Sequence, residues 1–88
     1  MAVTATSMIA ISGTAHADIV CLLNSDAFQY DAVNSNGGVN MEFTLHAGRG
    51  FSWDFGDVID GFGREWIHGH GAEHPTNTGW ILRVHWNC

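Results

Sequence analysis

Three imidazoles and a carboxylate fall within one short stretch, His68-Gly69-His70-Gly71-Ala72-Glu73-His74. Alternate side chains on a strand share a face, so His68 and His70 would lie close enough to hold one ion. His74 or Glu73, returning after a turn, would supply a third ligand. Imidazole suits zinc and copper, which makes His68, His70 and His74 the candidate metal ligands. The same residues also read as a polar-aromatic outer face of Trp66, His68 and His70, with His74 closing a loop before Pro75. Asp54, Asp57 and Asp60 recur every third position. A calcium loop needs oxygen ligands at alternate positions and a terminal Glu, so these read as solvated turn carboxylates. Ser25, Ser35 and Ser52 all lie outside any Gly-x-Ser-x-Gly context. No enzymatic activity and no cofactor are expected.

Four tryptophans, Trp53, Trp66, Trp80 and Trp86, exceed what the core of so short a chain requires. Some are therefore expected at the surface, where a flat ring with a polar N–H suits ligand binding. Trp66 and Trp80 are expected in or over the core, and Trp53 and Trp86 are expected to be exposed. Exposed aromatics beside acidic residues would suit a cationic or amide-rich peptide.

The elements that would position these groups are short. Val39, Met41, Phe43 and Leu45 alternate with Asn40, Glu42, Thr44 and His46, a period of two that predicts a strand with one buried face. Asn36-Gly37-Gly38 predicts a turn before it, and Ala47-Gly48-Arg49-Gly50 another after it. Phe51 to Phe55 forms a short aromatic segment, broken by Gly56-Asp57 and followed by Val58-Ile59. Asp60-Gly61-Phe62-Gly63 has a hairpin-like Asp-Gly step. Arg64 to His70 predicts a strand with Glu65 and Ile67 on the face opposite Trp66. Gly79 to Leu82 is a further strand, and Arg83 to Asn87 a closing 3₁₀ turn or strand end. Ile19 to Leu23 is a possible first strand, and Ala27 to Val33 reads equally as strand or helical turn. No stretch is long enough for an amphipathic helix. Short strands with turn signals between them predict a small barrel or sandwich.

The chain has 88 residues, enough for one domain, and carries a net charge of −6 with no lysine. That charge argues against nucleic acid and against anionic membrane surfaces, and it favours a soluble monomer. The histidines would lower its magnitude as pH falls through about 6.5. Met1 to Ala17 lacks charge and ends in Ala15-His16-Ala17, the small-x-small pattern of a signal-peptidase site. Residues 1–17 are thus expected to be a signal peptide, truncated at its start, and residues 18–88 a secreted, extracellular domain with no membrane attachment after cleavage. An exported chain of this size needs a staple, and Cys21 and Cys88 are the only cysteines, so one disulfide is expected between them.

The order of landmarks resembles a bacterial Src-homology-3-type (SH3-like) domain. Leu45-His46-Ala47-Gly48-Arg49-Gly50-Phe51 resembles the loop that opens such a domain. Trp66 stands where the family has an aromatic in a central strand. Gly79-Trp80-Ile81 resembles its Gly-Trp-hydrophobic step, and Val84-His85-Trp86 its closing turn. The resemblance runs from about Val39 to Asn87. It implies an all-β fold, a small SH3-like barrel of five to six short strands with the one disulfide. It also implies a binding module for peptides, cell-wall glycopeptides included, with Phe51, Trp53, Asp54 and Trp86 facing the ligand. A blocking or structural role against a secreted enzyme is a further alternative.

Overall fold

A computed structural model describes residues 18–88. The expected signal peptide, residues 1–17, lies outside them. The described chain is all-β, with strands β1 (Ile19–Leu22), β2 (Ala27–Asn34), β3 (Gly37–Leu45), β4 (Gly50–Ile59), β5 (Glu65–Gly71) and β6 (Gly79–Leu82), then a 3₁₀ turn at Arg83–His85. They form one antiparallel sheet in the order β1-β4-β5-β6-β2-β3.

That order forces the sheet to curl. In a flat sheet β3 and β4 would lie about 19 Å apart, four strand spacings. The connection between them, residues 46–49, reaches at most roughly 17 Å when fully extended. It is shorter still, because the Arg49 N–H bonds back to the His46 carbonyl at 3.2 Å. Residues 23–26 make an equal jump from β1 to β2. The apolar residues on the concave side then meet as one core of Leu23, Ala27, Leu45, Phe51, Ile67, Ile81 and Trp86, flanked by Cys21, Phe43 and Trp53.

The curled sheet does not close, and here the structure corrects the expected barrel. Among the described residues no strand pairing joins the edge strands β1 and β3. β1 has only four residues, a short edge that offers few backbone groups for pairing. Chain ends fill the gap instead. Leu23 makes an isolated bridge to Trp86, the Asn24 N–H bonds the His85 carbonyl, and the Asn87 N–H bonds the Leu22 carbonyl, each at 2.9 Å. This brackets Cys21 against Cys88, and the expected disulfide is present.

Other elements depart from expectation for local reasons. Ala27–Asn34 is a strand, the longest partner of β3. The period-two alternation in β3 holds at Phe43 and Leu45 but fails at Met41, which is exposed. There the β2–β3 register slips by one residue, and Asn40 has φ 58°. Phe51–Phe55 and Val58-Ile59 belong to one strand, β4. Its pairing with β5 skips two residues between Trp53 and Gly56, so Asp54 and Phe55 form a bulge, with Phe55 at φ 76°.

Candidate functional site

The convex face of the sheet carries an aromatic groove of about 200 Å³. Its floor is built by strand period. Trp66 pairs with Leu82 across β5 and β6, and Tyr30 pairs with Trp80 across β2 and β6. The Tyr30 and Trp66 rings meet edge to face, with centroids 5.5 Å apart. Phe28, two residues before Tyr30 on the same face, is 53% exposed and forms a wall. Gly38 lies under the Tyr30 ring, where a Cβ would come within 2.4 Å of it, so any side chain there would displace the ring that shapes the groove.

One end of the groove is held by Asp60. This carboxylate is buried and accepts four hydrogen bonds: from the Phe62 and Arg64 backbone N–H groups at 2.8 and 3.1 Å, from Arg64 Nε at 2.8 Å and from Trp66 Nε1 at 2.9 Å. Burial raises its pKa, but the bonds from Trp66, Arg64 and Phe62 outweigh it and hold the value at about 2. Arg64 also reaches from Nη2 to the Asn36 carbonyl at 3.1 Å, and the Gly61 N–H bonds the Ser35 carbonyl at 2.7 Å. The tips of the β2–β3 and β4–β5 hairpins are thereby pinned together across the convex face. At the other end is His85, whose Nδ1 lies 2.7 Å from Ser25 Oγ. The groove is thus mixed in character: Phe28, Tyr30, Trp66 and Leu82 supply apolar surface, Asn36, Arg64 and His85 supply polar surface, and no carboxylate is in its lining.

The expected ligand-facing residues are divided by the structure. Phe51 is fully buried and Trp86 is 5% exposed; the Trp86 Nε1–H donates to the Phe51 carbonyl at 3.0 Å. Both belong to the core, which removes them from any ligand surface, because Trp86 plugs the gap that the open sheet leaves. Trp53 is half-buried between Trp86 and Phe55, with ring centroids at 5.6 and 4.4 Å. Asp54 sits on the bulge beside His68. Trp66 is buried as expected, but on the convex side.

The three candidate metal-ligating histidines have separate surroundings. His68 Nδ1 lies 2.5 Å from Asp54 Oδ2 and its ring leans on Trp80, centroids 4.9 Å apart. His70 stands opposite Ser52 of β4. His74 is stacked flat on Phe43 at 3.8 Å. Among the described residues no group of three or more His, Cys, Asp or Glu is placed to hold a metal ion. Glu73 faces elsewhere, accepting from the His46 N–H at 2.9 Å and pairing with His46 Nδ1 at 2.8 Å. The hydrogen bond to Glu73 raises the His46 pKa, and the bonds from His46 lower that of Glu73. The aspartates expected as solvated turn groups are each engaged: Asp54 with His68, Asp60 with Arg64 and Trp66, and Asp57 with Glu65, whose pKa the shared hydrogen bond raises.

Sequence reasoning missed Phe28, Tyr30, Leu82, His85 and Arg64 as site residues. The signal was present for two of them. Taken as a strand, Ala27 to Val33 places Phe28 and Tyr30 on one face. No protein-family model matches the chain, and no curated protein or solved structure matches it either.

Proposed function

We propose that this chain is an exported, non-enzymatic binding module that takes a peptide in the convex groove. The observation that carries the reading is the lining: aromatic and aliphatic walls from Phe28, Tyr30, Trp66 and Leu82, with Arg64 and His85 at the rim and no acid. Small-molecule sites commonly enclose about 300–1,000 Å³; about 200 Å³ suits a single apolar side chain. Arg64 is tied to Asp60 through Nε but keeps 45% of its side chain exposed, so its remaining N–H groups are free to donate to a neighbouring carboxylate of the ligand. A peptide with an apolar side chain next to a carboxylate meets both demands. Cell-wall peptides belong to this class, in keeping with the resemblance to Src-homology-3-type domains. The disulfide and the absence, among the described residues, of a helix long and apolar enough to cross a membrane are compatible with an extracellular location.

The test is a titration of ¹⁵N-labelled protein with soluble cell-wall peptide fragments. Expected are shifts at Phe28, Tyr30, Leu82 and His85, and binding about tenfold weaker in Phe28→Ala, a surface change that spares the core. Shifts confined to other parts of the sheet, or unchanged affinity in Phe28→Ala, would sink the reading.

A further inference from the structure

His68 and His70 share the convex face of β5 on either side of Gly69. Their Cβ atoms are therefore about 7 Å apart, a separation two imidazoles can bridge through one ion. The structure adds what the sequence could not supply, a group that orients one of them. A metal-binding histidine donates its second ring N–H to a carboxylate, which fixes the tautomer and leaves the other nitrogen with its lone pair. Asp54 stands in that relation to His68. Its Oδ2 accepts from Nδ1–H at 2.5 Å, so the lone pair is on Nε2.

The arrangement is built rather than incidental. Asp54 reaches His68 because the β4 bulge lifts it out of the pairing, and its Oδ1 is itself held by the Gly56 N–H at 3.0 Å. At Gly56 a Cβ would lie 2.6 Å from the His68 Cβ; glycine lets the two strands close on this pair. Trp80 covers one side of the His68 ring. Among the described residues the His70 ring makes no hydrogen bond or ion pair, and both rings are partly exposed.

We propose that His68 and His70 form a two-imidazole site for a divalent transition-metal ion, with Asp54 as the positioning residue and solvent completing the coordination. Glu73 and His74 have no part in it. Such a site is open, in contrast to a closed structural centre, and it favours Cu²⁺ over Zn²⁺. It does not rest on the peptide groove, which uses other residues.

The experiment is titration of the oxidised protein with CuCl₂ and separately with ZnCl₂, read by calorimetry and by histidine ring resonances. Expected is one ion per chain, tighter for Cu²⁺, with His68 and His70 resonances affected first. His68→Ala and His70→Ala should each abolish the site, and His74→Ala should leave it intact. The decisive variant is Asp54→Asn. Asn retains an acceptor for the Gly56 N–H, but its amide would donate to Nδ1 and drive the proton to Nε2. Metal affinity should fall at least tenfold while the circular dichroism spectrum is unchanged. No binding by the native protein, binding that survives His68→Ala and His70→Ala, or full affinity in Asp54→Asn would overturn the proposal.

Discussion

Asp60 shows how much one buried side chain can organise. Its two oxygens close the β4–β5 loop, clamp Arg64 and orient the Trp66 indole that floors the groove. A carboxylate whose folded pKa is depressed from 3.8 to about 2 stabilises the fold fully above its ordinary value. That contribution is lost as pH falls through the folded value. Asp60→Asn should therefore lower the denaturation midpoint at neutral pH, and the gap between native and variant should narrow as pH drops from about 4 to 2. Urea melts across that range measure it; a gap independent of pH would assign the effect to packing alone. The role was illegible in the sequence because Asp60-Gly61 is also what an ordinary solvated turn looks like. Only the tertiary placement of Trp66 and Arg64 distinguishes the two. His68 was legible as a residue with chemistry, but its partner was not, since Asp54 comes from a neighbouring strand.

Among the elements, β4 carries the most information for its length. The Gly56-Asp57 step looks like a break, and it divides the sequence pattern into two fragments. In the structure it is the exit of a two-residue bulge within a continuous strand. Bulges shift the alternation of faces, so a pattern read with period two loses its phase at such a point. The same loss of phase explains the exposed Met41 in β3. Where no bulge intervenes, reading and structure agree: Gly79–Leu82 is a strand, and Ile67 faces the core opposite Trp66. Gly56→Ala tests the bulge directly. The added methyl collides with the His68 Cβ, the root of a side chain that no rotamer change can move away, and should destabilise the protein by about 1–3 kcal/mol. It should also separate Asp54 from His68, visible as a moved His68 ring resonance. A variant as stable as the native protein would mean that the strands part there without penalty.

For the molecule as a whole, the staple was legible because a short chain with two cysteines, one of them following an expected export signal, leaves little alternative. The openness of the sheet was not, since strand count alone does not say whether the edges meet. The disulfide spans a sequence separation of 67, which restricts the unfolded chain enough to stabilise the fold by about 4 kcal/mol in the chain-entropy treatment. Cys21→Ser with Cys88→Ser, or reduction, should lower the unfolding free energy by about that amount, measured by guanidinium denaturation. Because the edges are joined by chain ends rather than by strand pairing, the sulfur link reaches further than the core. His85, at the rim of the groove, lies in the short turn that Cys88 anchors, and its carbonyl receives the Asn24 N–H. A peptide bound as proposed would therefore be thermodynamically linked to the disulfide: reducing conditions should cost affinity on the opposite side of the sheet, and the bound peptide should make the sulfurs harder to reduce.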